Sequence, residues 1–258
     1  MLLVIDVGNT NTAIGLYDGD TLVSDWRLAT DRYRTADEWG QLLRSILHLD
    51  NRERAQINDI AIASVVPPLD SALSRTCDRY FSIKPYFITH KSDLGLKILY
   101  RPPSEVGADR LVNAVAAIEG HGCPAIIIDF GTATTFDVVS CDKEYLGGVI
   151  CPGIGISSNA LFDKAAKLPR VDLIRPKKIV GTTTVKSMQA GLYFGYLEQI
   201  KGIISLIKEE LSKETLVIIT GGLSRVFKDD LGDGVIQDET LTLEGLRLIY
   251  ERNKDRNG

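Results

Sequence analysis

Four consecutive apolar residues, Leu2 to Ile5, run directly into the polar stretch Asp6-Val7-Gly8-Asn9-Thr10. This is the pattern of a buried strand that leaves the core at a tight turn. Thr12 to Tyr17 and Thr21 to Leu28 read as two further strands with a hairpin turn at Asp18-Gly19. Thr35-Ala36-Asp37-Glu38 has the spacing of a capping box and predicts a helix to about His48. Ile57 to Val66, closed by Pro67-Pro68, reads as a buried strand, Leu69 to Phe81 as a helix, and Pro85 to Thr89 as another strand. Gly107-Ala108-Asp109-Arg110 opens an amphipathic helix that ends near His121-Gly122.

Residues 125–150, AIIIDFGTATTFDVVSCDKEYLGGVI, repeat the opening: an apolar strand, Asp129 at its end, Gly131, threonines, a second strand to Val139, a turn at Ser140-Cys141-Asp142-Lys143 and a third strand. At an offset of 123, Asp6 aligns with Asp129, Gly8 with Gly131 and Thr12 with Thr135. Helical stretches follow over Ser157 to Ala166 and Thr183 to Leu211, then a strand from Thr215 to Thr220 that ends in Gly221-Gly222. A duplicated strand meander continued by alternating helices and strands predicts an α/β fold, with a mixed sheet flanked by helices in each half. The expected domains are 1–122 and 123–258, facing each other across a cleft. Met188, Leu192, Tyr193, Tyr196, Leu197, Ile200, Ile203, Ile204 and Ile207 form a stripe at helical spacing. Such a stripe packs a core, and this one is broad enough to serve a partner as well.

Composition narrows the function classes. The 258 residues are 44% hydrophobic and 25% charged, ordinary values for a globular protein. Thirty Lys and Arg against thirty-four Asp and Glu give a formal charge of −4, without the broad positive field that a nucleic-acid partner requires. No apolar run reaches the roughly 18 residues of a membrane-spanning helix, and no basic leader precedes one, so no membrane association and a cytoplasmic location are expected. Cys77, Cys123, Cys141 and Cys151 are widely spaced, spell neither a zinc site nor a redox pair, and read as free buried thiols. His48, His90 and His121 carry no assigned role.

A strand-end aspartate and a Gly-Thr turn in each half suit nucleotide phosphates. Glycine lets backbone approach an anion, threonine hydroxyls and turn amides donate hydrogen bonds, and a carboxylate positions the offsetting cation. A single Asp-x-Gly turn is equally well a hairpin whose aspartate bonds its own backbone; a repeat in matching context is harder to explain that way. Asp109 is open to two readings, a first-turn carboxylate that complements the helix dipole or a general base. Arg110 reads as a surface ion-pair partner or as a clamp on substrate oxygens. Tyr100 reads as a strand aromatic, and Thr184 as a helix N-cap.

The segments DVGNTNTA (6–13), ASVVP (63–67), RPPSEVGADR (101–110), DFGTATTFD (129–137), GGVICPG (147–153), GTTT (181–184) and TGG (220–222) together resemble the type III pantothenate kinases. That family belongs to the superfamily of actin, sugar kinases and heat-shock chaperones. The resemblance implies two duplicated ribonuclease-H-like domains and transfer of the ATP γ-phosphoryl to the primary hydroxyl of pantothenate, which begins coenzyme A synthesis. It implies that Asp6, Val7, Gly8, Asn9, Thr10, Asn11, Thr12, Ala13 and Thr132 bind ATP, with Asp6 near magnesium, directly or through water. Asp129 would hold a monovalent cation, potassium or ammonium. Tyr100, Gly107, Ala108, Asp109 and Arg110 would contact pantothenate, Asp109 as general base, and Thr184 would reach the substrate across a homodimer interface.

Asp129-Phe130-Gly131 spells the DFG of protein kinases, but no His-Arg-Asp loop, G-x-G-x-x-G loop or Val-Ala-Ile-Lys strand precedes it. No G-x-x-x-x-G-K-[ST] sequence occurs. Two alternatives stand beside the pantothenate reading: a sugar or acetate kinase of the same superfamily, since a fold does not choose its acceptor, and a non-catalytic regulatory relative.

Overall fold

Leu2–Val7 form β1, in which Leu3, Val4, Ile5 and Val7 are fully buried. A strand so uniformly apolar is covered on both faces. In this computed structural model, which describes residues 1–49, 57–165 and 168–256, the chain divides into two units, Met1–Ala116 with Thr240–Gly258, and Ala117–Glu239.

In the first unit β1 pairs antiparallel with β2 (Asn11–Asp18) and parallel with β4 (Asp59–Ser64). β3 (Thr21–Ala29) lies antiparallel to β2, and β5 (Tyr86–Phe87) parallel to β4, giving the order β3-β2-β1-β4-β5. The hairpin turn sits one residue later than expected, at Gly19-Asp20, because Asp18 pairs with Thr21 and Gly19 takes the positive φ of 58° that a two-residue loop needs. The capping box forms at the start of α1 (Ala36–Leu49): the Thr35 amide donates to Glu38 Oε2 at 2.7 Å and the Glu38 amide to Thr35 Oγ1 at 3.4 Å. Pro67 and Pro68 open α2 (Pro67–Thr76) as well as ending the strand, since the first amides of a helix need no intrahelical partner. A π-helical turn, Cys77–Phe81, continues α2 over the rest of the expected helix. A two-residue strand β6 (Lys97–Ile98) and α3 (Ala108–Gly120) follow.

The second unit contains β7 (Ala125–Phe130), β8 (Ala133–Val139), β9 (Glu144–Pro152), α4 (Ile154–Lys164), α5 (Thr184–Glu210), β10 (Leu216–Thr220), α6 (Ser224–Leu231) and β11 (Val235–Gln237). α4 begins before Ser157, and Ala166, the expected end of that helix, lies outside the described residues. The strand order β9-β8-β7-β10-β11 and the strand directions repeat those of the first unit. Bulges recur too, at Leu16/Tyr17 in β2 and at Val138/Val139 in β8.

The repeat corrects one alignment. The last pair of the first hairpin is Val7↔Thr12 and that of the second is Phe130↔Thr134, so the loop of residues 131–133 is one residue shorter than that of residues 8–11. Thr12 therefore corresponds to Thr134, not Thr135. Side chains alternate faces along a strand, and Thr12 and Thr134 are both buried while Thr135 is half-buried.

The α5 stripe packs as expected: Met188, Leu192, Tyr193, Tyr196, Leu197 and Ile200 are buried, and Ile203, Ile204 and Ile207 lie partly buried against the same core. Phe227 centres that core, with ring centroids 5.6 Å from Phe130, 5.1 Å from Tyr193 and 5.3 Å from Tyr196. Aromatic contacts at such spacing add to the area they bury.

The units depart from the expected boundary at residue 122. The division falls within α3, after Ala116, and residues from Thr240 onward return to the first unit. The cause is α7 (Leu241–Asn253), whose Leu241, Leu243, Leu246 and Ile249 are buried. Its Arg247 is buried over the Tyr17 ring, with Asp20 and Glu244 oxygens at 2.5 Å and Glu251 at 2.9 Å. Thr242 Oγ1 donates to Asn113 Oδ1 on α3 at 2.7 Å, and a Cβ on Gly245 would stand 2.2 Å from the Val112 carbonyl oxygen. Backbone meets backbone there, with room for no side chain. Gly245→Ala is expected to destabilise the first unit by about 1–3 kcal/mol, the usual cost of overpacking, as a lower urea midpoint.

Candidate active site

β1 and β4 are adjacent parallel strands, and their carboxyl ends are where a ligand site forms in an α/β sheet. Asp6 is half-buried on β1 and Val7 fully buried, and the chain then turns over the exposed Asn9, Thr10 and Asn11. The Gly8 amide donates to the Asn11 carbonyl at 3.1 Å and closes that turn. Thr12 Oγ1 lies 2.8 Å from Thr30 Oγ1, and the Thr30 amide donates to the Thr10 carbonyl at 2.9 Å, so β3 buttresses the loop. Ala13, half-buried, pairs with Asp6.

Asp109 is brought to the same strand ends. The Val65 amide donates to the Val7 carbonyl at 3.0 Å, which ties the residue after β4 to the end of β1. A Cβ on Gly107 would stand 3.4 Å from Val65 Cγ1 and 2.5 Å from Asp109 Oδ1. Glycine at 107 thus leaves the space into which the carboxylate points, beside the first residues past β4. Asp109 lies in the first turn of α3, and the Arg110 amide donates to its Oδ1 at 2.8 Å. Burial pushes the carboxyl above the ordinary aspartate value, and the Arg110 amide and guanidinium only partly offset it. Arg110 is itself buried, which removes the surface ion-pair reading. Ala108 and Tyr100 are half-buried on the same stretch of chain.

The second unit builds a matching loop. Asp129 is half-buried near the end of β7, paired with Thr135 on one side and Thr220 on the other, while Gly131 and Thr132 are exposed. Two glycines shape this loop. A Cβ on Gly153 would stand 2.2 Å from the Thr132 carbonyl oxygen, and one on Gly221, at φ 89°, would stand 2.4 Å from Asp129 Oδ1. Both belong to motifs visible in the chain, GGVICPG and TGG, but their roles depend on contacts far apart in sequence. Beneath the loop Thr134 Oγ1 bonds the Tyr196 hydroxyl. The buried Asp137 accepts from the Tyr145 hydroxyl at 2.6 Å and from Thr135 Oγ1 at 3.0 Å.

Thr184 stands elsewhere in that unit. It is the exposed first residue of α5, and the cap is its neighbour Thr183, whose Oγ1 accepts from the Lys186 amide at 3.3 Å. Thr184 edges an open depression of about 840 Å³ with Leu161, Gly181, Ser187 and Met188. Tyr196, whose hydroxyl meets Thr134 beneath the loop of residues 131–133, is twelve residues further along α5, about 18 Å at 1.5 Å per residue. No residue of the Asp129 loop is among those that line this depression.

Among the described residues no group of three His, Cys, Asp or Glu side chains is placed to hold a metal. Among the described residues no helix is long and apolar enough to cross a membrane.

A family model described as Type III pantothenate kinase matches residues 2–206. A relative of that name from Anaeromyxobacter sp. (strain K) is 51% identical over 254 residues, covering 98% of this chain and 100% of its own. Two solved structures share the fold at 13% identity. One is the activator of the 2-hydroxyisocaproyl-CoA dehydratase from Clostridium difficile, with a TM-score of 0.55 over 99% of this chain and 97% of that one. The other is the inorganic polyphosphate/ATP-glucomannokinase from Arthrobacter sp. strain KM, with a TM-score of 0.51 over 97% and 98%.

Proposed function

This chain belongs to the type III pantothenate kinase family, ATP-dependent enzymes that phosphorylate pantothenate in the first step of coenzyme A biosynthesis, and we propose that Asp109 is its general base. Membership selects pantothenate over the sugar and acetate acceptors that the fold alone leaves open. The observation that carries the assignment is the carboxylate of Asp109 beside the ends of β1 and β4, where the loop of residues 6–13 begins. A primary alcohol is barely ionised near neutral pH, so a carboxylate must take its proton as the oxygen bonds to the γ-phosphorus and ADP leaves. The raised pKa of Asp109 makes it a stronger base than a solvated aspartate.

In this reading Asp6 to Ala13 and Thr132 bind ATP through turn amides and hydroxyls, and Tyr100 and Gly107 to Arg110 hold pantothenate, Arg110 through its guanidinium. Asp6 holds magnesium, directly or through water, and Asp129 a potassium or ammonium ion. Such cations supply charge neutralisation for the phosphoryl group. Gly221 supports the second assignment, since its missing side chain makes room for the Asp129 carboxylate at the strand end. A cytoplasmic location belongs to the same reading and rests on the use of ATP.

Thr184 serves a second copy of the chain. Its distance along α5 from the Asp129 loop supports this, as do the exposed Ile150, Ile156, Ile179, Val180 and Val185 of the same unit. Exposed aliphatic side chains of this kind are what a homodimer interface would cover.

Asp109→Asn is expected to retain fold and ATP binding but lower turnover about 100-fold or more in an assay of ADP release with pantothenate; near-normal turnover removes Asp109 from the mechanism. In the unaltered enzyme the rate falls as pH drops through the Asp109 pKa, because only the carboxylate accepts a proton. The acid limb of the pH profile therefore lies above the ordinary aspartate range. Replacing potassium by sodium is expected to slow the reaction, and indifference to the ion counts against Asp129 as its ligand. Light scattering at micromolar concentration is expected to give twice the chain mass of 28.3 kDa; a monomer overturns the role of Thr184.

A further inference from the structure

The four cysteines are not the uniformly buried thiols that their spacing suggests. Cys77 and Cys151 are buried, Cys123 is half-buried and Cys141 is exposed. Burial pushes the Cys77 thiol up to about 12 and raises that of Cys151, so both are held as unreactive thiols. Cys123 and Cys141 differ in position as well as exposure. The β7–β8 ladder ends with Ala125↔Val139, and Cys123 and Cys141 lie just outside that pair, Cys141 in the turn that follows β8. Cys123 Sγ donates to the Cys141 carbonyl oxygen at 3.3 Å, so the two residues are in contact. That contact puts the Cys123 sulfur against the backbone of Cys141, so a turn of the exposed Cys141 side chain about its Cα–Cβ bond is the motion that would bring the two sulfurs together.

We propose that Cys123 and Cys141 are a redox-modifiable pair that closes into a reversible disulfide across the open end of the β7–β8 hairpin, with a low-molecular-weight disulfide as oxidant. The exposed Cys141 thiolate attacks one sulfur of the small disulfide, forms a mixed disulfide and expels one small thiolate. Cys123 then attacks Cys141 Sγ, the new protein S–S bond forms, and the second small thiolate leaves. Two protein thiols lose two electrons and two protons, and one small disulfide becomes two small thiols. The closed loop encloses β7, the turn with Gly131 and Thr132, and β8, so oxidation staples the hairpin that carries Asp129.

The test is to equilibrate the full chain with oxidised glutathione, block free thiols, and map the peptides by mass spectrometry. The expected result is an intramolecular Cys123–Cys141 cross-link, with Cys77 and Cys151 recovered as thiols after denaturation and the link lost on adding excess reduced glutathione. Cys123→Ser is expected to stop at a glutathione adduct on Cys141, because the resolving thiol is gone. The staple is also expected to raise the melting temperature by roughly 6–12 °C, as a loop of this length implies, in the wild type and not in the variant. Four unmodified thiols, a wild type that stops at the same adduct as Cys123→Ser, a cross-link only between chains, or a cross-link without a melting shift would each overturn the proposal.

Discussion

Approaches too close for any side chain set the shape of the loop after β7 and the seat of the helix that carries Asp109. Gly153 packs against the Thr132 carbonyl and Gly221 against Asp129, each at a distance where a methyl group would collide. Gly107 leaves the volume that the Asp109 carboxylate occupies, and Gly245 lets α7 seat on α3. Interiors pack at near-crystalline density, so such gaps are filled by the neighbour and not by water. What the missing side chains give the protein is a fixed position for polar groups that would otherwise be displaced by an ångström or more.

Asp109 shows how that rigidity becomes chemistry. A carboxylate in a helix first turn is stabilised by the dipole and by the Arg110 amide, and in water these would depress its pKa. Burial outweighs both, so the group is held with its basicity raised. The cost of that desolvation is carried by packing elsewhere in the first unit. α7 contributes four buried apolar side chains and the Arg247 cluster, and it braces α3 through Gly245 and Thr242. A helix near the end of the chain thereby braces the one that carries Asp109, from which it is far removed in sequence.

The duplicated meander gives each unit a central strand with an antiparallel partner on one side and a parallel partner on the other. At its polar end a turn meets the end of a second, parallel strand. Both loops sit there, and the shared bulge in β2 and β8 shows that the repeat extends to local irregularity. The second loop is shorter by one residue, which exposes Gly131 and Thr132 in place of the Asn9-Thr10-Asn11 of the first. The two loops are thus built alike and are chemically distinct.

The sequence alone determined the strands, because runs such as Leu2 to Ile5 and Ala125 to Ile128 can only be buried, and it determined the capping box at Thr35 and the α5 stripe, because both are local in spacing. It also carried the loop motifs and the family they resemble. Only the tertiary structure decided that Thr134 and not Thr135 matches Thr12, since register is set by hairpin closure and not by aligned letters. It decided as well that Thr183 and not Thr184 caps α5, and that residues beyond Thr240 return to the first unit. The pairing of Cys123 with Cys141 and the work of Gly153 and Gly221 belong to the same class. Each depends on atoms brought together across long separations, where no periodicity in the chain records which backbone will arrive.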